Sequence, residues 1–284
     1  MSDRAFKELL HAFGDPTIPK KIWQKPFEGE PWSKRKLAGA TAETRSYIDA
    51  TDYALDLIYV RPLQKDLLAY LFPRCLETWR RVVVERIDST FVEHFHHALA
   101  TTDILDNELT AEQSAAARRF IEDALLGVLA ADSTPGEASA RRLQTFASFG
   151  TFSGVESLWR SWWSMKTPGH AVAALQYASA LVYVDGDAND GSVWSFPPWE
   201  YESIGFGERW REENVLFLER TLTVDYLQQK LSDAATALGG APACDMSRTV
   251  YNRFLSRREG VRRRLPRMMQ LLRTPNAPGI RDWD

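Results

Sequence analysis

The stretch Glu93-His94-Phe95-His96-His97 sets three of the chain's five histidines beside a carboxylate. Glu93 and His96 stand at i and i+3, which places an acid and an imidazole on one helix face. Di-iron carboxylate bundles use that pair twice, with two further Glu. A second copy, Glu8 with His11, lies in a short N-terminal segment, and no helix pair supplies the remaining carboxylates. His94 and His97 with Asp103 or Asp106 form another transition-metal set. Such short spacings recur by chance. The plainer reading is a polar face beside Phe91, Phe95 and Leu99, so no metal is expected.

Asp49, Asp52 and Asp56 follow at i, i+3 and i+7, a carboxylate stripe on one side of a helix. Buried, such neighbours would raise one another's pKa and suit acid–base or metal chemistry. Exposed, they would form an acidic ridge for a basic partner surface or for this chain's own basic C-terminal helix. Exposure is the expectation for unpaired acids.

Asp185-Gly186-Asp187-Ala188-Asn189-Asp190-Gly191 has oxygen ligands where a calcium loop begins, but Asp190 stands where the loop needs glycine and Phe196 where it needs Glu. An Asx- and Gly-rich turn fits better. The segment from Arg248 to Arg273 holds nine Arg, no Lys and the single acid Glu259, a net +8 that leaves −11 on the rest of a chain whose total is −3. Arg257, Arg258, Arg262, Arg263, Arg264 and Arg267 could meet phosphates, yet no aromatic-basic RNA motif accompanies them. Nucleophile elbows, P-loops and dinucleotide fingerprints are absent from the sequence. Cys75 and Cys244, without partners at ligand spacing, read as thiols in a reducing compartment.

The elements that must position these residues are helical. Phe6, Leu9, Leu10 and Phe13 keep helical spacing before Gly14. Tyr47, Ile48, Ala54, Leu55, Ile58 and Tyr59 gather on one face of a helix from Ala42 to Val60. Pro62 is placed to open the next helix, and Pro73 to kink or split it. Thr110 with Gln113, and Ser153 with Glu156, have the spacing of capping boxes. Pro168 opens an apolar run through Val184, read as a buried core helix. The final helix begins near Ser247, with a bend expected at Gly260 or Pro266.

Two long loops interrupt this pattern. Residues Asp15 to Gly39 contain Trp23, Phe27 and Trp32 among four prolines, and Asp185 to Gly207 contain Trp194 and Trp199. Loops of such length are commonly functional, and the aromatics of the first suggest that it is pinned to the body.

The expected fold is therefore all-α: an irregular multi-helix single domain, residues 1–284, of about ten helices with two long aromatic-rich loops. A soft subdivision is expected near residues 132–135. Composition is that of a globular chain, with 44% hydrophobic and 26% charged residues. No signal peptide and no run of membrane-spanning length is evident, so a cytoplasmic protein without membrane contact is expected.

Leu68-Ala69-Tyr70-Leu71-Phe72-Pro73-Arg74-Cys75-Leu76-Glu77-Thr78-Trp79, followed by Leu109-Thr110-Ala111-Glu112-Gln113 and Phe120-Ile121, resembles a family of small bacterial helical proteins. Those pair a Tyr-Leu-x-Pro helix with a downstream Leu-Thr-x-Glu-Gln helix, and some are similar to immunity proteins that neutralise toxins passed between bacteria. The resemblance spans about residues 55 to 130 and brings no catalytic residues. With the missing catalytic constellation, the acidic body and the aromatics of the two long loops, the expectation is a non-enzymatic protein, of immunity or antitoxin type as the resemblance implies, that occludes a toxin or effector, with no cofactor. On this reading Asp49, Asp52 and Asp56 form the charged patch, and Trp194, Trp199 and Trp210 are the anchors. Two other readings stand beside it: a helical enzyme using the Asp stripe or the histidine cluster with a metal, and a nucleic-acid-binding or regulatory protein acting through its Arg-rich tail.

Overall fold

A computed structural model describes residues 2–29, 37, 42–85, 90–131, 137–182, 208–240 and 243–275. Among these residues there are thirteen helices and no strand, so the protein is all-α. The chain divides into two compact units, Met1–Ala124 and Leu125–Asp284. The sequence position 132–135 lies outside the described residues.

The first unit contains α1 (Ser2–Ala12), α2 (Ala42–Tyr59), α3 (Lys65–Glu85), α4 (Thr90–Thr102), α5 (Ile104–Asn107) and the greater part of α6 (Ala111–Ala130). α2 packs on both α3 and α4, and α1 packs on α3. Helix α1 stops where expected: Gly14 takes a positive φ of 80°, and the Gly14 and Asp15 amides donate to the His11 and Leu10 carbonyls.

The buried face of α2 differs from the expected one. Ala50, Tyr53, Ala54 and Leu57 are buried, at i, i+3, i+4 and i+7, whereas Leu55 and Ile58 are half-buried and Tyr59 is exposed. Two alanines on the inner stripe let α2 approach its neighbours closely, and the bulkier Leu55, Ile58 and Tyr59 stay at the margin. Pro62 does not open α3. It follows Arg61 in the connecting turn, and the helix begins at Lys65. Nor does Pro73 split α3, which runs through it as one helix of 21 residues. The Thr110–Gln113 capping box forms in both directions: the Gln113 amide donates to Thr110 Oγ1 at 3.3 Å and the Thr110 amide to Gln113 Oε1 at 3.1 Å.

The second unit contains the end of α6, α7 (Glu137–Phe152), α8 (Glu156–Trp162), α9 (Pro168–Val182), α10 (Glu212–Thr221), α11 (Val224–Ala237), α12 (Cys244–Ser256) and α13 (Arg258–Arg273). Helix α9 is its axis, as its apolar sequence requires. Every residue from Gly169 to Val182 is buried, and α7, α8, α11, α12 and α13 all contact it. Gly169 is required at its start: a Cβ there would lie 2.2 Å from the Ala130 carbonyl oxygen, too close for any side chain. The break in the C-terminal region falls at Arg257, between α12 and α13, so Gly260 and Pro266 both sit within a continuous helix. Leucine and methionine side chains on α13 carry it into the core, where Leu265, Met268, Met269, Leu271 and Leu272 are buried.

Helix α8 begins at Glu156 with Val155, not Ser153, in the N-cap position. The α8 terminus is instead held by Asn214, 59 residues away, whose Oδ1 accepts from the Val155 amide at 2.9 Å. Its Nδ2 donates to the carbonyls of Gly150 (2.8 Å) and Ser153 (2.7 Å). One buried amide side chain thus satisfies three backbone groups that the α7–α8 turn leaves open.

Much of the aromatic content lies inside this unit. Phe146, Trp159, Trp162, Trp163 and Tyr177 form a continuous cluster of edge-on and stacked rings with centroids 4.6 to 6.1 Å apart.

Candidate functional site

The stripe Asp49, Asp52, Asp56 does not form an exposed acidic ridge. Asp49 is in α2 but its side chain is outside the described structure. Asp52 is half-buried, and Asp56 is 0% exposed. The segment 24–27 of the first long loop lies over Asp56 and removes it from solvent. Asp56 Oδ2 accepts from Gln24 Nε2 at 2.9 Å, and Oδ1 accepts from the Phe27 amide at 2.7 Å.

Gln64, in the turn before α3, completes the clasp. Its Oε1 accepts from the amides of Trp23 (2.8 Å) and Gln24 (3.1 Å), while its Nε2 donates to the Lys21 carbonyl at 2.8 Å. Its own amide donates to Gln24 Oε1 at 2.8 Å. Gln24 and Gln64 are themselves buried. Backbone polar groups that a loop would otherwise show to water are thereby bonded by side chains of α2 and of the turn before α3, which fixes the loop to the body. For the described part of this loop, polar side chains supply the hydrogen bonds that hold residues 21–27.

What the clasp presents to solvent is aromatic. Trp23 is 51% exposed and Phe27 50%, although both sit next to fully buried partners of the clasp. Phe27 stacks on Tyr59 of α2 with ring centroids 4.3 Å apart, and Tyr59 is 55% exposed. Lys20, Lys21 and Lys25 flank these rings on the same short segment and are exposed. Large rings held half out of water on a rigid base are the usual material of interface anchors.

Of the other anchors named from sequence, Trp210 does not join this surface. Trp210 is 3% exposed, its ring lying over Gly150 and edge-on to Phe146 at 5.8 Å, so it is a core residue. Its amide donates to the Leu272 carbonyl at 2.8 Å, which ties the entry to α10 onto α13. Trp194 and Trp199 lie outside the described residues, as does the calcium-like segment 185–191. Trp32 does too.

The histidine cluster is occupied with structure. Trp79 Nε1 donates to His96 Nε2 at 2.8 Å, which occupies that ring nitrogen. Glu93 points to solvent, away from that bond. Among the described residues, no group of three His, Cys, Asp or Glu side chains is placed to hold a metal ion. Burial pushes the His96 pKa down to about 4. Below about pH 6.5 the unfolded chain gains a proton here that the folded chain refuses. Stability from this group is therefore lost as pH falls from 6.5 to 4, by up to about 3 kcal/mol, and no further below that. Urea unfolding at pH 7 and pH 4.5 should show a smaller pH dependence for His96→Gln than for the wild type. Equal dependence in the two proteins would mean that His96 is not held neutral.

Cys75 is buried, its Sγ 3.8 Å from the Ala50 carbonyl, in keeping with a structural thiol. Several of the C-terminal arginines are turned inward to this unit. Arg273 forms paired hydrogen bonds with both Glu212 and Glu219 of α10, which raise its pKa and lower those of the two acids. Arg264 Nη1 donates to the Leu181 carbonyl at 2.7 Å, at the end of α9, and Arg258 pairs with Asp225 of α11. A concavity of about 430 Å³ lies between α10, α11 and α13, floored by Leu222, Leu265 and Met269. Its rim charges Glu219, Asp225 and Arg262 are each already paired within the unit.

The protein is thus an all-α chain whose first unit carries a clasped, lysine-flanked aromatic surface. Among the described residues no helix is long and apolar enough to cross a membrane. Comparison with protein-family models, with curated proteins and with solved structures gave no significant match.

Proposed function

We propose that this chain is a non-enzymatic protein-binding protein that engages its partner through Trp23, Phe27 and Tyr59. The observation that carries this reading is the clasp: three buried polar side chains, Gln24, Asp56 and Gln64, hold a loop whose rings remain half exposed. A rigid anchor loses little conformational freedom on binding, so more of the gross contact energy appears as affinity. The partner class first to be tested is a toxin or effector, occluded by this surface in the manner of an immunity protein. That expectation rests on the resemblance across about residues 55 to 130. The clasp side chain Gln64 and the stacking partner Tyr59 both belong to that stretch.

The test is affinity capture from native lysate with the wild type and with Trp23→Ala/Phe27→Ala, read by mass spectrometry. One protein held in stoichiometric amount by the wild type and lost from the double variant is the expected result, with an affinity loss of about 2–4 kcal/mol. If that protein arrests growth when expressed alone and the arrest is relieved by this chain, the partner is a toxin. A partner retained equally by the variant would refute the surface assignment.

A further inference from the structure

The aromatic surface is also a cationic one, and its charges are not spent within the chain. Lys20, Lys21 and Lys25 are exposed, and none is ion-paired with a carboxylate among the described residues. Across residues 20–28 they face one acid, Glu28. This local excess of positive charge stands on a chain whose total is −3. The Arg-rich C-terminal helices are another basic region, but there Arg248, Arg258, Arg262 and Arg273 pair with carboxylates of the same unit. Helix α13, moreover, contains no aromatic residue to serve as an anchor.

We propose that the partner's docking face is acidic around an apolar pocket, with Lys20, Lys21 and Lys25 meeting its carboxylates while Trp23 and Phe27 enter the pocket. This rests on the reading of the clasped loop as a protein-binding surface and names the chemistry of its partner. The division of labour follows from the geometry. Unpaired cations on long side chains act at range and set encounter rate and orientation, and half-buried rings set the lifetime of the complex. Outside the Arg-rich C-terminal segment the balance of the chain is acidic and repels an acidic partner, so the charge pattern also selects which face is presented.

Other polyanions fit the surface less well. A single-stranded nucleic acid needs separated ring faces on which successive bases stack. Here Phe27 and Tyr59 are stacked on each other. The cations are also all lysines, with no guanidinium fork for phosphate. An anionic bilayer is held in proportion to the apolar area it buries, and three half-exposed rings offer it little.

The experiment uses the full-length chain and two synthetic peptides with the same Leu and Phe residues, one carrying Asp and Glu between them and the other Lys. Binding is followed by fluorescence anisotropy of labelled peptide. The acidic peptide should bind at least about tenfold more tightly than the basic one, and weaken by about tenfold when salt rises from ~50 to ~300 mM. Lys20→Glu/Lys21→Glu/Lys25→Glu should remove the preference, chiefly through a slower association rate. Trp23→Ala/Phe27→Ala should weaken the acidic peptide through faster dissociation. All substituted side chains are exposed, and matching thermal melts confirm that the variants are folded.

Equal binding of both peptides, still lost on Trp23→Ala/Phe27→Ala, would overturn the acidic partner and leave the aromatic surface standing. Binding indifferent to the aromatic substitutions would overturn the surface itself. Binding of neither peptide overturns the proposal. So does tighter binding of oligo(dT) or of phosphatidylserine vesicles, which would reassign the surface to nucleic acid or to lipid.

Discussion

Gly150→Ala should cost the second unit about 2–3 kcal/mol, a large share of what a domain of this kind has to lose. A Cβ at this position would stand 2.3 to 2.6 Å from three atoms of the Trp210 indole. Neither side can retreat. The backbone of Gly150 is held through its carbonyl, which accepts from Asn214 Nδ2 at 2.8 Å and from the Arg211 amide at 3.1 Å. Trp210 is held by its own amide on Leu272 and by the edge-on contact with Phe146. The measurement is urea unfolding, with the midpoint lowered and the slope unchanged. Adding Trp210→Leu to Gly150→Ala should recover part of the loss, because the smaller side chain vacates the space the methyl needs. That non-additivity separates a collision from a general effect on helix α7. A Gly150→Ala protein within ~1 kcal/mol of wild type would contradict the close approach of this ring.

Asp56→Ala should have the second large effect, and it should act on the loop as well as on overall stability. Removing the carboxyl leaves two donors, Gln24 Nε2 and the Phe27 amide, without the acceptors at 2.9 and 2.7 Å that they now have. Buried donors left unsatisfied cost about 1–3 kcal/mol each, so a loss of roughly 2–5 kcal/mol is expected. Hydrogen exchange gives the decisive readout. The Phe27 amide, bonded directly to Asp56, should exchange far faster in the variant, and the amides of Trp23 and Gln24 should follow as the clasp loosens. Asp56→Asn is no remedy, since an amide NH2 would face the donating NH2 of Gln24, whose oxygen already accepts from Gln64. If Phe27 exchange is unchanged by Asp56→Ala, the loop is held by something other than this clasp.

Both predictions turn on contacts between residues distant in sequence, and this marks what could be read from the sequence and what could not. The helices themselves were legible because their signals are local. The Thr110–Gln113 box, Pro168 at the head of α9 and the glycine after α1 all act within a turn of the chain. So was the burial of α9, since a run with no polar face can only be an interior helix. Ser153 and Glu156 have the spacing of a cap, yet Asn214 is a better partner for that turn, and nothing near residue 153 announces it.

The candidate site was less legible for the same reason. Asp56 belongs to an acidic stripe by periodicity, but a segment about thirty residues earlier covers it and converts a surface charge into a buried acceptor. Trp210 follows a long aromatic loop and has the composition of an anchor, yet the bare backbone of Gly150 makes room for it in the core. Trp23 and Phe27 lie where no periodicity exists, so pattern alone cannot say which way a ring faces. The one usable hint was chemical: two glutamines and an aspartate, Gln24, Gln64 and Asp56, in or beside segments rich in apolar residues.

The burial of α9 on every side has a consequence for how the protein is made. Its fourteen residues from Gly169 to Val182 have no face suited to water, and three of the helices that cover them, α11, α12 and α13, are synthesised after it. At typical translation rates roughly 5 to 20 seconds separate the emergence of Val182 from that of Arg273. At the start of that interval α9 has only α7 and α8 to pack against, and throughout it lacks the leucines and methionines of α13 that will sheathe it. Translation speed across residues 183–273 and nascent-chain chaperones therefore bear on yield, and slow codons in this stretch should raise the share of product found in inclusion bodies.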